Sequence, residues 1–201
     1  MKLNSQIIKA LFESKVNNSY KGVAYHGTNS NFDKFTYVDR GRKSGKVREV
    51  YGPGFYFTSN PNYAKNYGSN IIKAEIEIKK PLFCEGLNLP QLSKNEIQQM
   101  VGIWYDLVCN DKKLKLFKDS FFANFSKGFW KGNGTEEDLK KICNECYNFS
   151  FLYDTLFKEY YSRKFTEELN QLFGYDGIIC ELDKETTIYV VWFEEQIEKY
   201  K

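Results

Sequence analysis

The residues of this chain that could do chemistry are few and fall in three clusters. The first holds the single histidine, in Val23-Ala24-Tyr25-His26-Gly27-Thr28. A lone imidazole is commonly structural, but here a glycine follows it, and glycine lets a ligand come close to the backbone. The second cluster is Tyr51-Gly52-Pro53-Gly54-Phe55-Tyr56-Phe57-Thr58, with Pro61 and Ala64-Lys65-Asn66-Tyr67 behind it. The third lies near the C-terminus, as Gly174-Tyr175-Asp176-Gly177-Ile178-Ile179 and Ile188-Tyr189-Val190-Val191-Trp192. Together they offer a ring nitrogen able to hydrogen-bond a ligand hydroxyl, and flat electron-rich faces suited to a planar cation.

Other chemistries lack their residues. Cys143-x-x-Cys146 has no second pair and no histidine near it, whereas a tetrahedral zinc site needs four ligands. Acidic residues show no calcium-loop or paired-carboxylate spacing, and no GxGxxG, Walker or GxSxG sequence is present. The five cysteines have no regular spacing, which fits reduced thiols in a cytoplasmic compartment. A net charge of +3 is too mild to announce a nucleic-acid binder, although the run from Arg40 to Arg48 is a local basic patch. No signal peptide is visible and no stretch approaches the roughly 18 apolar residues of a membrane span. A soluble cytoplasmic protein is expected, without a membrane partner; delivery into a host cell by an uncleaved route also fits.

The elements that must position these clusters can be read from periodicity. Residues 4–17 form an amphipathic pattern, with Ile7, Ile8, Leu11 and Phe12 on one side. Strands are expected at Gly22–His26 and Phe55–Thr58, and a helix from Pro61 to about Tyr67 with Asn60 as its N-cap. Residues 71–79 alternate as a half-buried strand that Pro81 should end. From 93 to 173 the rhythm is helical, with a capping box at Ser93 and Glu96 and a weaker one at Thr135 and Asp138, and Gly132-Asn133-Gly134 separating two helices. Trp104, Phe121–Phe129 and Phe149–Tyr161 read as core aromatics, or in part as a lid or docking surface. Strands at Gly177–Leu182 and Thr187–Phe193 close the chain. The expected architecture is α+β: one domain over 1–201 with a helical insertion at roughly 87–173.

In order and spacing, these three clusters resemble the His-Tyr-Glu ADP-ribosyltransferases. The likeness covers 22–83 and 174–197 and is strongest to bacterial, phage and polyvalent-protein members. The poly(ADP-ribose) polymerase catalytic core is a more distant cousin. The resemblance implies a split β-sheet core with an NAD cleft, NAD⁺ as the substrate and no metal. It assigns His26 to the adenosine ribose, and the backbone of Gly27, beside Thr28, to the nicotinamide carboxamide. Tyr56, with Phe57 next to it, is implied on the nicotinamide-ribose side, and Tyr67 stacks on the ring. Cleavage of the nicotinamide–ribose bond passes through an oxocarbenium-like state with a neutral leaving group, so holding the dinucleotide bent is the main task.

Three positions depart from the family pattern. Where the family places its acid, before the tyrosine of the last strand, this chain has Ile188. That argues against polymer synthesis and resembles the His-Tyr-Ile mono-transferases, in which an acceptor carboxylate can assist. Glu185 or Glu181 could supply the charge instead, although Glu185 is an odd number of residues from Ile188 and so on the other face of a regular strand. A serine that bonds the nicotinamide amide in the polymerases falls at Ala64. The basic loop, with Arg40, stands where the family has a flap that could neutralise the pyrophosphate or a nucleic-acid backbone. The expected function is mono-ADP-ribosyl transfer to a macromolecular acceptor, protein or RNA/DNA, by a toxin, effector or phage–host conflict protein, with an antitoxin as a conceivable partner. An NAD⁺ glycohydrolase and a non-catalytic NAD-binding or interaction protein are the alternatives.

Overall fold

Alternation in the sequence becomes alternation in burial. In strand β3 (Asn70–Ile78), Ala74, Ile76 and Ile78 are fully buried while Lys73, Glu75 and Glu77 lie on the opposite face. The structure, a computed structural model, describes residues 19–37, 51–86, 88–110, 149–157 and 162–200. The expected helix at 4–17, the basic loop with Arg40, the Thr135–Asp138 cap, Gly132–Gly134, Phe121–Phe129 and the Cys143/Cys146 pair lie outside the described residues.

Among the described residues, seven strands form one mixed sheet. Besides β3 they are β1 (Tyr20–Thr28), β2 (Phe55–Thr58), β4 (Pro81–Glu85), β5 (Gly177–Glu181), β6 (Thr187–Val191) and β7 (Ile197–Lys199). The order is β4-β5-β6-β2-β1-β3-β7; β4 and β5 run parallel, and the other pairings are antiparallel. β1 and β3 pair along their whole length, from Tyr20↔Ile78 to Thr28↔Asn70. β1 and β2, by contrast, meet only at Tyr25↔Thr58. The sheet is thus continuous in order yet nearly parted at this seam, into a β4-β5-β6-β2 half and a β1-β3-β7 half.

Both faces are covered. On one, the helices α2 (Lys94–Asn110), α3 (Phe149–Leu152, continued by a wide turn over Tyr153–Phe157) and α4 (Ser162–Phe173) bring Ile97, Met100, Trp104, Phe149, Phe165 and Leu169 against Ile178, Cys180, Ile188, Val190 and Trp192. On the other, Phe35 and Phe57 pack with Ala24, Ala74, Ile76, Ile179, Tyr189 and Val191. Successive residues of β5 and β6 therefore feed different cores, which explains their near-continuous apolar runs. Trp104, Phe149, Tyr153 and Phe157 are core, as expected. The capping box at the start of α2 is formed in both directions: the Ser93 N–H donates to Glu96 Oε2 (2.6 Å) and the Glu96 N–H to Ser93 Oγ (3.3 Å).

Two strands were not anticipated. Pro81 does not end β3, which stops at Ile78; it opens β4, at the sheet's edge, where a proline's missing N–H leaves no ladder bond unmade. β7 is three residues long, too short to show a period, and is held by pairing with β3. The Gly-Tyr-Asp-Gly motif has a structural role. Its Asp176 is buried and accepts the N–H groups of Lys79 and Lys80, both at 2.8 Å, while Gln196 Nε2 donates to the carbonyls of Glu77 (2.8 Å) and Asp176 (3.0 Å). These bonds tie the β3–β4 turn to the start of β5.

Candidate active site

The site sits where the sheet parts. His26, on β1, turns its ring across the seam, and Nδ1 lies 2.7 Å from the carbonyl oxygen of Tyr56 on β2. A carbonyl can only accept, so Nδ1 carries the proton and Nε2 presents its lone pair. The ring is walled by Phe35, Phe57 and Phe32, with centroids at 5.2, 5.6 and 6.2 Å. Burial among them pushes the imidazole pKa below its ordinary value, outweighing the opposing effect of the bond to Tyr56. The result is a neutral imidazole with a fixed tautomer and one nitrogen able to accept from a hydroxyl. Phe57 itself is 2% exposed, so its contribution is to support His26 from beneath.

Gly27 is required by the chain's own packing. A Cβ there would overlap the carbonyl oxygen of Ala64, at the end of the short helix α1 (Pro61–Ala64, continued by a tight turn over Lys65–Tyr67). A Cβ on Gly68 would likewise strike the Thr28 backbone. What approaches the backbone beside His26 is thus α1, seated on the end of β1. Asn60 caps α1 as expected, its Oδ1 accepting from the N–H groups of Asn62 (2.9 Å) and Tyr63 (3.3 Å). Ala64 is buried and brings no polar side-chain atom to the site. Thr28 turns its hydroxyl to the following loop, accepting from the Ser30 N–H at 3.1 Å.

Two tyrosines differ sharply. Tyr67 is 62% exposed, stands beside Gly27, and donates its hydroxyl to that of Tyr63 at 3.2 Å. Tyr56 is half-buried, and its hydroxyl is occupied: it donates to Gly52 O (2.6 Å) and accepts from the Tyr51 N–H (3.1 Å). That bond holds the turn at Gly52, whose φ of +88° suits glycine and whose missing side chain makes room for the Phe149 ring. The proton and one lone pair of the Tyr56 hydroxyl are thus committed to this turn.

Ile188 is 6% exposed and belongs to the helix-side core, paired across the strands with Thr58 and Cys180. Glu185 does not lie in β6, which starts at Thr187, so the strand-face argument against it does not apply. It stands exposed in the preceding turn, where its backbone carbonyl accepts from Ser59 Oγ at 3.3 Å. Glu181 ends β5 and is exposed. Beyond Phe32 the surface is hollowed into a depression of about 450 Å³, lined by Ser30, Asn31, Phe32, Asp33, Ile72 and Lys199; Ile72 is the β3 partner of His26. Among the described residues no three His, Cys, Asp or Glu side chains stand together as a metal site, and no helix is long and apolar enough to cross a membrane.

Tyr63 and Asp176 were not anticipated as individual residues. Tyr63 lies inside the Pro61–Tyr67 helix, four residues before Tyr67, and that spacing is a signal that could have found it.

A mixed sheet with helices on one face, nearly parted at a seam beside which stand a neutral imidazole and an exposed tyrosine, defines an α+β protein. The family model described as ADP-ribosyltransferase in polyvalent proteins matches residues 21–200. The chain belongs to that family, and the match runs through the 87–173 segment. No curated protein matches the chain. A solved structure titled as the crystal structure of an anti-CRISPR protein aligns at 13% identity over 90% of this chain and 96% of that one, with a TM-score of 0.33. A likeness that loose bears on neither fold nor activity.

Proposed function

We propose that this protein is a mono-ADP-ribosyltransferase that cleaves the nicotinamide–ribose bond of NAD⁺ and passes the ADP-ribose to a macromolecular acceptor. The observation that carries the reading is the fixed tautomer of His26. A neutral imidazole pinned through Nδ1 is an acceptor for a ribose hydroxyl at Nε2, and the exposed Tyr67 ring nearby offers a face to the cationic nicotinamide. In this reading the carboxamide pairs with backbone groups at Gly27 and Thr28, Tyr56 lends its ring to the nicotinamide-ribose side, and Phe57 keeps His26 in place. NAD⁺ fits the residues present: the site supplies a hydroxyl acceptor and an aromatic face and needs no metal ligand.

The reaction breaks the C1′–N bond, and its electron pair leaves with nicotinamide as a neutral molecule. The oxocarbenium-like sugar is then captured by a nucleophile of the acceptor, which loses a proton. With an isoleucine at 188, the chain's own residues act by holding the two halves of the dinucleotide at a fixed angle. Charge stabilisation then falls to an acceptor carboxylate or to Glu185 on the rim. Absence of an acid at 188 favours transfer of a single unit over chain growth. A protein acceptor agrees with the weak net basicity, and Arg40 with its basic neighbours keeps RNA or DNA as the other class. A toxin, effector or phage–host conflict role goes with either acceptor, as does an antitoxin partner.

The test is labelled NAD⁺ incubated with the protein and with separate protein-rich and nucleic-acid-rich extracts, beside a His26→Ala control. Label on a discrete macromolecule, lost in the control, establishes the transferase and its acceptor class. Nicotinamide release without transfer would make water the acceptor and the protein a glycohydrolase. Binding of NAD⁺ with neither product would make it a non-catalytic binder.

A further inference from the structure

Resting on the NAD⁺-binding reading above, we propose that Tyr63 is a positioning residue of this site, whose hydroxyl holds the Tyr67 ring at the angle in which it receives a planar cationic base. The two residues are one helical turn apart, i and i+4, so their side chains rise on the same side of α1. Their ring centroids are 5.7 Å apart with planes at 54°, and the Tyr67 hydroxyl donates to the Tyr63 oxygen at 3.2 Å. Their surroundings differ: Tyr63 packs against the helix-side core that contains Ile188, whereas the Tyr67 ring stands out into solvent.

Tyr63 is held by its backbone and by its packing on the helix-side core. Its backbone N–H is held by the Asn60 cap at 3.3 Å. Among the described residues Tyr67 has no comparable packing to fix its ring. The Tyr67 hydroxyl's pKa is pushed up to about 12, first by burial and then by its bond to Tyr63. An exposed aromatic that must stop rotating in order to stack loses affinity through that ordering, and a ring already held in place avoids the loss. A phenol that donates its proton also keeps more electron density in the ring, which strengthens its attraction for a cation.

The experiment measures binding of NAD⁺ and of ADP-ribose, which lacks the nicotinamide ring, by calorimetry. It uses the wild-type chain and the Tyr63→Phe, Tyr67→Phe, doubly substituted and Tyr67→Ala variants, with thermal unfolding recorded for each. Tyr63→Phe keeps the ring that packs on the core and removes only the hydroxyl. The expected result is about fivefold weaker NAD⁺ binding for either Phe variant, the scale of one neutral hydrogen bond, with the double variant no worse than the singles. ADP-ribose binding and the unfolding temperature should stay as in wild type. Equal losses for both ligands would make Tyr63 a merely structural residue and overturn the proposal. So would unchanged NAD⁺ binding in Tyr63→Phe alongside a loss in Tyr67→Ala, which would leave the NAD⁺ reading standing. A wild-type chain that binds ADP-ribose and NAD⁺ equally, with Tyr67→Ala silent, or that binds neither, would sink the NAD⁺ reading itself and this inference with it.

Discussion

His26 Nδ1 and the Tyr56 carbonyl oxygen lie 2.7 Å apart across the seam between β1 and β2. Those strands share a single paired position, Tyr25↔Thr58, so the side chain stands in for part of the missing backbone ladder. One contact thereby does two things: it bridges the halves of the sheet and it sets the imidazole's tautomer.

Because the chain has one histidine, its titration can be read without assignment. Nuclear magnetic resonance of the imidazole should give a pKa below 6.5 and a proton on Nδ1 at neutral pH. With the folded pKa depressed, the unfolded chain binds the extra proton first as pH falls. Stability is therefore greatest above 6.5 and declines as pH drops toward the folded value. NAD⁺ affinity should be level through neutral pH and fall on acidification with the folded midpoint. A midpoint above 6.5 would contradict the buried, neutral ring.

Gly27→Ala should destabilise the fold by on the order of 2 kcal/mol or more, because the new methyl meets the Ala64 carbonyl, a backbone atom that cannot swing away. Denaturant unfolding measures this. An unchanged midpoint would mean α1 is not seated on β1 as described.

Tyr56→Phe removes the hydroxyl between Gly52 O and the Tyr51 N–H, and about 1–2 kcal/mol of stability should go with it. If the hydroxyl serves only this turn, NAD⁺ affinity, measured well below the unfolding temperature, should change little. A large loss of affinity at intact stability would mean that the Tyr56 hydroxyl meets the ligand directly.

Ile188→Glu restores the acid of the family pattern in a place that is 6% exposed. Burial should raise the carboxyl pKa above its unfolded value, so the variant should be most nearly wild-type in acid. It should lose on the order of 3 kcal/mol as pH rises through the raised pKa. Thermal unfolding against pH tests the sign. Glu185→Gln, by contrast, lies in an exposed turn and should leave stability unaltered; a drop in nicotinamide release would identify it as the site's acid.

Several elements could be read from the chain alone because their signals are local. The β3 alternation, the Asn60 cap with Pro61 behind it, and the reciprocal bonds of Ser93 and Glu96 each depend on neighbours within a few residues. β4 and β7 could not be read in this way. One begins with a proline that usually ends strands, the other spans three residues, and each exists through the strand beside it.

The site divides along the same line. Sequence by itself determined which residue types are present and in what order: one His before Gly27, aromatics at 56, 57 and 67, and an isoleucine at 188. Tertiary structure decided which of them stand exposed and which face the core. Gly27 is small for the sake of Ala64, Phe57 is buried beneath His26, and the Tyr56 hydroxyl is occupied by the Gly52 turn. The physical reason is that hydrogen bonds and packing are short-ranged in space but not along the chain. The Tyr56 carbonyl is thirty residues from His26 and the Cys180 beside Ile188 is on another strand, so only folding could bring each pair together.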